Sequence, residues 1–293
     1  MSLRIAIGIA TIGRRDVLSE AVAELAFQTR PADTIVVCGA SPGDVDQAQL
    51  ETLGLPLRVI FSEPGSAHQR NAIFDNLVGF DAVLFIDDDF LMRKDYVEHL
   101  ERVLENHPDV TVVTGHVLAD GAHSAGVPLG EARSILARST AATDSRLEEA
   151  YSGYGCNMAV RLAPLVTHGI RFNERLPLYA WLEDLDLSRR LARHGRIVKS
   201  RALQGVHMAV KTGRTSGRRY GYSQIANPID LYRDGVIPLS VVLSHIGKPV
   251  ASNLIRSLAP EPYIDRRGRL FGNLKAGWDL LRGRLKPDAI LRM

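Results

Sequence analysis

The sequence predicts an α/β fold: a mostly parallel, Rossmann-like central sheet with helices on both faces, followed by a helical extension. Three observations carry this. Strand-length runs that are apolar almost throughout alternate with helix-length patterns over residues 3–87, and strands buried on both faces read as continuous apolar runs. Each run ends in small or polar residues, as strands do where a doubly wound sheet opens onto its ligand crevice. The composition, 45% hydrophobic and 24% charged over 293 residues, suits one large globular domain with an appendage.

The elements follow in order. "LRIAIGIA" (3–10) is a buried strand and "RDVLSEAVAELAFQT" (15–29) an amphipathic helix. "TIVVCG" (34–39) and "LPLRVIFSE" (55–63) are the second and third strands, "SAHQRNAIFDNL" (66–77) is a helix, "AVLFID" (82–87) is the fourth strand, and a further helix begins near Lys94. The segments after the four strands are "TIGRRD", "GASPGD", "EPGSAHQRN" and "DDD", so four strand ends converge on one crevice. Later, "SGYGCNMAVR" (152–161) is a turn entering a strand, and "LEDLDLSRRLARHG" (182–195) is a helix that Gly195 is expected to stop. Two helix-length patterns, at 238–258 and 270–285, close the chain.

Several function classes are excluded. "GIATIG" fails the dinucleotide pattern, because Gly8 lies inside the first strand, and no phosphate-binding G-x-x-x-x-G-K-[ST] loop is present. The first residues lack a secretory pattern, and "VIPLSVVLSHIGKPVASNLI" is interrupted by His245, Lys248, Pro249 and Asn253, so it is not expected to span a membrane. Cys38 and Cys156 are too few for a disulfide framework and suit a reduced, cytoplasmic protein. Residues 1–195 hold 18 Lys and Arg against 27 Asp and Glu (net −9), whereas 196–293 hold 18 against 6 (net +12). The C-terminal third is therefore expected to face something anionic, the competing reading being a basic solvated surface.

Asp87, Asp88 and Asp89 end the fourth strand. Consecutive residues there point to opposite sides, so Asp87 and Asp89 face one way and Asp88 the other. Carboxylates this close repel unless a cation lies among them. Hard divalent cations such as Mg2+ and Mn2+ take oxygen ligands and join carboxylates to substrate phosphates. The competing reading is a solvated acidic turn capping the next helix.

Six segments in order now resemble the family 2 glycosyltransferases: "IATIGRRDVL", "EPGSAHQRNAIFDN", "FIDDD", "GYGCNMAVR", "GIRFNERL" and "WLEDLDLSRRLARHG", across roughly residues 3–210. The resemblance implies a GT-A fold, a nucleotide-sugar donor and inverting transfer. It implies a catalytic domain over 1–210 (nucleotide-binding half about 1–118, acceptor half about 119–210); the residues beyond it, 211–293, read by themselves as a basic lid and helical extension. "DDD" then corresponds to the family's D-x-D, with Asp87 and Asp88 toward the nucleotide and Asp89 and Asp87 as metal ligands. The second acid of the "ED" pair, Asp184, corresponds to the usual base. Glu183 would hold the acceptor or support the loop. Gly155 and Asn157 correspond to the sugar pocket, Ser41 to a serine after the second strand, and His207 to a third metal ligand in some relatives. The family's base-contacting aspartate is replaced by Cys38, with Asp44 or Asp46 as substitutes.

From the residues themselves, Thr11 and Arg14 are placed to touch base and ribose, and Arg70 to reach phosphate or ribose. Trp181 either stacks on an acceptor sugar or belongs to the core. "KTGRTSGRRYGYSQ" (211–224), with Lys211, Arg214, Arg218 and Arg219 among glycines and serines, is expected to be a flexible lid over the diphosphate. The last helix sets Phe271 and Trp278 against lysines and arginines; anionic membrane contact at the inner face, packing on the catalytic domain and homodimerisation all fit that pattern. The acceptor expected is a glycan or lipid-linked hydroxyl in surface polysaccharide synthesis. A sugar-phosphate nucleotidyltransferase is the alternative enzyme, although "TIGRRD" is a poor activating loop. A nucleic-acid binder is disfavoured, since no nucleic-acid motif is present and the acidic body repels polyanions.

Overall fold

The computed structural model describes residues 2–140, 146–213 and 215–293. Among them nine strands form one sheet in the order β3-β2-β1-β4-β8-β6-β9-β5, with β7 paired to β9. The strands are β1 (Ile5–Thr11), β2 (Thr34–Gly39), β3 (Leu57–Phe61), β4 (Ala82–Asp87), β5 (Phe90–Met92), β6 (Val110–Asp120), β7 (Leu147–Glu149), β8 (Asn157–Arg161) and β9 (Arg196–His207). β1 to β4 run parallel, β8 is antiparallel to both neighbours, and β6 and β9 are again parallel. The expected mostly parallel sheet is present, with β8 antiparallel at the change between its halves and β5 and β7 antiparallel to β9 at the far side.

The helices are α1 (Arg15–Glu24), α2 (Gln47–Glu51), α3 (Ser66–Asp75), α4 (Tyr96–Asn106), α5 (Leu129–Arg138), α6 (Leu162–His168), α7 (Glu183–Leu191), α8 (Gly217–Arg233), α9 (Leu239–Arg256) and α10 (Arg266–Leu281). Both sheet faces are covered, which is why the strands carry no polar alternation. Ile5, Ile7, Ile9, Leu84 and Ile86 enter one apolar layer with Leu18 and Val22 of α1. Ala6, Val83 and Phe85 enter the other with Ile73 of α3 and Leu187 of α7. Register fixes the crevice: Ala10 of β1 lies level with Cys38 of β2 and with Asp87 of β4, so the three strands end together.

Three local expectations are corrected. The helix after Trp181 ends at Leu191, not Gly195; Gly195 instead passes so close to Asp109 that a Cβ would meet its carbonyl oxygen at 2.5 Å. The triplet does not cap a helix, because the short strand β5 follows it and pairs with β9. The segment read as a flexible lid is helical from Gly217 onward; Arg214 lies outside the described residues.

The reason is close helix packing. Gly217 and Gly221 of α8 stand four apart, as do Gly268 and Gly272 of α10. A Cβ on Gly221 would meet the Arg269 carbonyl oxygen at 2.1 Å, and one on Gly272 the Arg218 carbonyl oxygen at 2.1 Å. The two backbones therefore touch. A buried polar network seals the contact: Asn273 donates to the Gly221 carbonyl (2.7 Å), and Asn253 donates to Gln224 (2.8 Å) and to Asn273 (2.9 Å). α8 is tied to the sheet domain through Asn227, which donates to the Trp181 carbonyl at 2.8 Å.

Gly272→Ala should therefore lower unfolding free energy by about 1–3 kcal/mol. Gly277→Ala on the same helix, where a Cβ meets nothing within 4 Å, should raise it by about 0.5–1 kcal/mol. Urea denaturation of both variants checks the pair; equal effects would contradict the packing.

Candidate active site

Asp87 closes β4, and Asp88 and Asp89 form the turn into β5. Asp88 turns toward the end of β1, where it accepts from Thr11 Oγ1 (2.6 Å) and pairs with Arg14 (2.8 Å). Asp87 and Asp89 turn the other way, toward His207. One ligand atom from each of Asp87, Asp89 and His207 lies within 4.8 Å of the others. Asp89 is 1% exposed; its Oδ2 accepts from the Val210 backbone N–H (2.8 Å) and Arg14 (3.1 Å), and its Oδ1 has no hydrogen-bond partner.

His207 is positioned by the sheet. It ends β9 and lies in register with Phe90 of β5 on one side and Asp120 of β6 on the other. Its Nδ1 is 2.8 Å from Asp120 Oδ1, and Tyr154 donates to the other Asp120 oxygen at 2.8 Å. Nε2 is left facing Asp89 Oδ1 at 3.5 Å and Asp87 Oδ2 at 3.7 Å, both too long for good hydrogen bonds. A histidine whose far nitrogen is held by a carboxylate, facing two acidic oxygens of which one is orphaned, has the donor set of a divalent-cation site. Burial works against a charged His207, yet Asp120, Asp89 and Asp87 outweigh it and push its pKa up to about 10.

The acidic pair opens α7. The loop before it holds Leu178, Ala180 and Leu182 at φ of 58°, 48° and 73°. Left-handed backbone costs a non-glycine residue about 1–3 kcal/mol. The bonds Ser66 N–H to Leu178 O (2.8 Å) and Glu183 N–H to Ala180 O (2.9 Å) maintain it. Asp184 Oδ2 accepts from the Gly155 N–H at 2.9 Å, and Oδ1 accepts from the Leu185 N–H at 2.7 Å. Each oxygen keeps a further lone pair. Burial raises the Asp184 pKa against these donors. Glu183 is more enclosed, and burial pushes it up to about 8 despite Arg70.

Arg70 joins the two acidic groups. Its guanidinium, 4% exposed, pairs with Glu183, reaches Asp87 at 3.1 Å and donates to the Gly155 carbonyl at 2.8 Å. Asp87 and Asp184 thus lie on either side of one arginine and one glycine, in a single crevice. That crevice holds Asp87, Asp89, Asp120, Glu183 and Asp184 against few cations, and an unaccompanied diphosphate would be repelled from it.

The other expected residues are placed as follows. Arg70 is committed to carboxylates, not to a nucleotide. Ser41 forms a capping box with Asp44, whose second oxygen accepts from the Gly13 N–H at 2.7 Å. Asp46 caps α2 and pairs with Arg15, so both aspartates offered in place of Cys38 have structural partners. Asn157 is fully buried; its amide oxygen accepts from Thr114 at 2.9 Å and its amide nitrogen has no hydrogen-bond partner. A Cβ on Gly155 would stand 3.3 Å from Asp184 Oδ2, so glycine keeps that carboxylate close to the turn. Trp181 is half-buried, with its ring near Tyr220 and His245 of the C-terminal helices. Arg14 also donates to the Thr212 carbonyl at 3.0 Å, tying the strand ends to the segment after β9. Sequence reading missed Asp120 and Tyr154, and also Gln69, whose amide donates to the carbonyls of Thr11 (2.8 Å) and Cys38 (2.7 Å). Asp120 carried a signal: like Asp87, it ends an apolar strand.

Residues 4–209 match the family described as "Glycosyltransferase like family 2". The chain belongs to this family. It is a glycosyltransferase, and its fold is GT-A. TarS of S. aureus (residues 1–349, with UDP-GlcNAc) superposes with TM-score 0.59 at 16% identity, over 98% of this chain and 83% of that one. The mannosyltransferase PcManGT from Pyrobaculum calidifontis (with GDP-Man and Mn2+) superposes with TM-score 0.58 at 15% identity, over 99% and 85%. No curated protein sequence matches the chain.

In this glycosyltransferase the Asp87–Asp89–His207 cluster fits a divalent cation. Asp120→Asn should weaken Mn2+ binding by about 10–100-fold, since the carboxylate orients His207 from behind. Isothermal titration with Mn2+ reads this, and an unchanged affinity would remove Asp120 from the site. Arg70→Met should destabilise the fold by about 3–5 kcal/mol, because two carboxylates lose their buried partner.

Proposed function

We propose that the protein is an inverting glycosyltransferase that moves a sugar from a nucleoside-diphosphate donor to a hydroxyl of a glycan or lipid-linked acceptor, in the cytoplasm and in surface polysaccharide synthesis. One observation carries the reading: Arg70 and Gly155 hold Asp184 and the Asp87–Asp89–His207 cluster on the two sides of one crevice. The donor nucleotide lies over the ends of β1 and β2, beside Thr11, Arg14 and Ser41, with Asp88 on the same side. Asp87, Asp89 and His207 hold Mn2+ or Mg2+, which, when bound, neutralises charge on the leaving diphosphate.

Asp184 takes the proton of the acceptor hydroxyl as that oxygen attacks the anomeric carbon and the bond to the diphosphate breaks. A single displacement needs this one base and inverts the anomeric centre. Burial makes Asp184 a stronger base than a solvated aspartate. Glu183 acts through the loop instead: with Arg70 and Ser66 it fixes the start of α7.

Asp184→Asn should lower kcat by about 10²–10⁴-fold while Mn2+-dependent donor binding persists, as read by thermal shift. A base works deprotonated and the Asp184 pKa is raised, so the rate should fall as pH drops, from above the ordinary aspartate range. A panel of nucleotide sugars with Mn2+, assayed for nucleoside diphosphate release, tests the reaction class; pyrophosphate release would establish a nucleotidyltransferase instead.

A further inference from the structure

On α10, Arg267, Phe271, Leu274, Trp278 and Leu281 follow one another at spacings of four, three, four and three residues, so they form one stripe along the helix. The opposite side, with Gly272, Asn273 and Ala276, is buried against α8. The stripe therefore faces outward: Phe271 is 51% exposed, Leu274 67%, Trp278 52% and Leu281 83%. Arg267, at the start of the stripe, donates to the Ser257 carbonyl at 3.2 Å, which sets the end of α9 beside it, and there Leu254, Ile255 and Leu258 are 58%, 69% and 86% exposed. Seven large apolar side chains on adjoining helices form a patch, not scattered surface residues.

The patch is rimmed with cations. The Arg282 guanidinium lies 4.2 Å from the Trp278 ring, and that of Arg218 lies 4.7 Å from Phe271. α9 has no acidic residue, and the one acid of α10, Asp279, is engaged by Lys275 and Tyr222. Next to the stripe, Lys275, Arg284 and Arg292 line a cavity of about 310 Å³. No helix among the described residues is long and apolar enough to cross a membrane, so the face meets its partner from outside.

We propose that this face docks on an anionic lipid bilayer. The α10 stripe and the end of α9 enter the interfacial layer, while Arg267, Lys275, Arg282 and Arg284 meet lipid phosphates. Charge complementarity selects this partner. A second copy would bring one basic rim against another, and a nucleic acid would supply phosphates but no apolar phase for the stripe.

The test is co-sedimentation of the full chain with vesicles of phosphatidylcholine alone or with about one third phosphatidylglycerol, at low and high salt. Binding to the anionic vesicles is expected, weakened by salt, with none to the neutral ones. Leu274→Ser/Trp278→Ser/Leu281→Ser should weaken it about tenfold or more, and Arg267→Glu/Arg282→Glu should weaken it while leaving the apolar face intact. Circular dichroism of both variants establishes folding. In Trp181→Phe, Trp278 is the one remaining tryptophan, and its emission should shift to the blue on anionic vesicles. Failure to bind at low salt, or equal binding by the triple variant, overturns the proposal. So does a wild-type dimer that the triple variant returns to monomer, which would make the face a self-association seam. None of these measurements uses transfer activity, so they succeed or fail independently of the reaction class.

Discussion

The buried guanidinium of Arg70 is the interaction on which the rest of the site depends. It stands where α3, the end of β4, the Gly155 turn and the start of α7 meet, with the rings of Phe85 and Phe172 at 5.7 and 5.6 Å. Alone, the carboxylates of Asp87 and Glu183 would drive these elements apart. One delocalised cation with several directed donors pairs with both and takes the Gly155 carbonyl as well. The same glycine turns its N–H to Asp184. The spacing between the cation cluster and the acid across from it is thus held by a single residue and a single turn.

Charge is distributed to match. The crevice concentrates carboxylates and relieves them only in part through Arg14, Arg70 and His207, which leaves Asp89 with an orphaned oxygen and His207 with a nitrogen aimed at no good acceptor. Such an arrangement is poor as a finished ion-pair network and well suited to a divalent cation. The C-terminal third carries the opposite excess, spread over β9, α8, α9, α10 and the residues after α10, with six of its eighteen Lys and Arg on α9 and α10. A basic tail folding onto an acidic body would have placed those cations at the strand ends; of them, Lys211 does approach, donating to the Gly121 carbonyl at 2.8 Å.

Much of the fold was legible, for local reasons. β2 and β4 were read with their exact bounds, because a strand buried on both faces leaves an unbroken apolar run between turn residues. Asp87 and Asp89 do face His207 and Asp88 faces Thr11, as expected, but it is the turn after β4, not strand pleating, that places Asp88 and Asp89. The basic segment after β9 was misread because glycine among arginines has two meanings: chain freedom, or the absence of a side chain where two helices touch. Gly221 and Gly272 have the second meaning, and the partner helix that gives it lies some fifty residues away, while Gly217 and Gly268 make room for the Asp265 side chain that caps α10.

The sequence by itself determined the class of fold, the strand ends where chemistry collects, and the residue types that suit a cation and a base, because these depend on periodicity and on the intrinsic chemistry of side chains. The tertiary structure alone decided which of those residues share the crevice. Asp120 meets His207 only through the pairing of β6 with β9, Arg70 meets Glu183 across 113 positions, and Asp44 is drawn to Gly13 instead of to a ligand. Such assignments rest on contacts between segments remote in the chain, and no local pattern of residues encodes the register that brings them together.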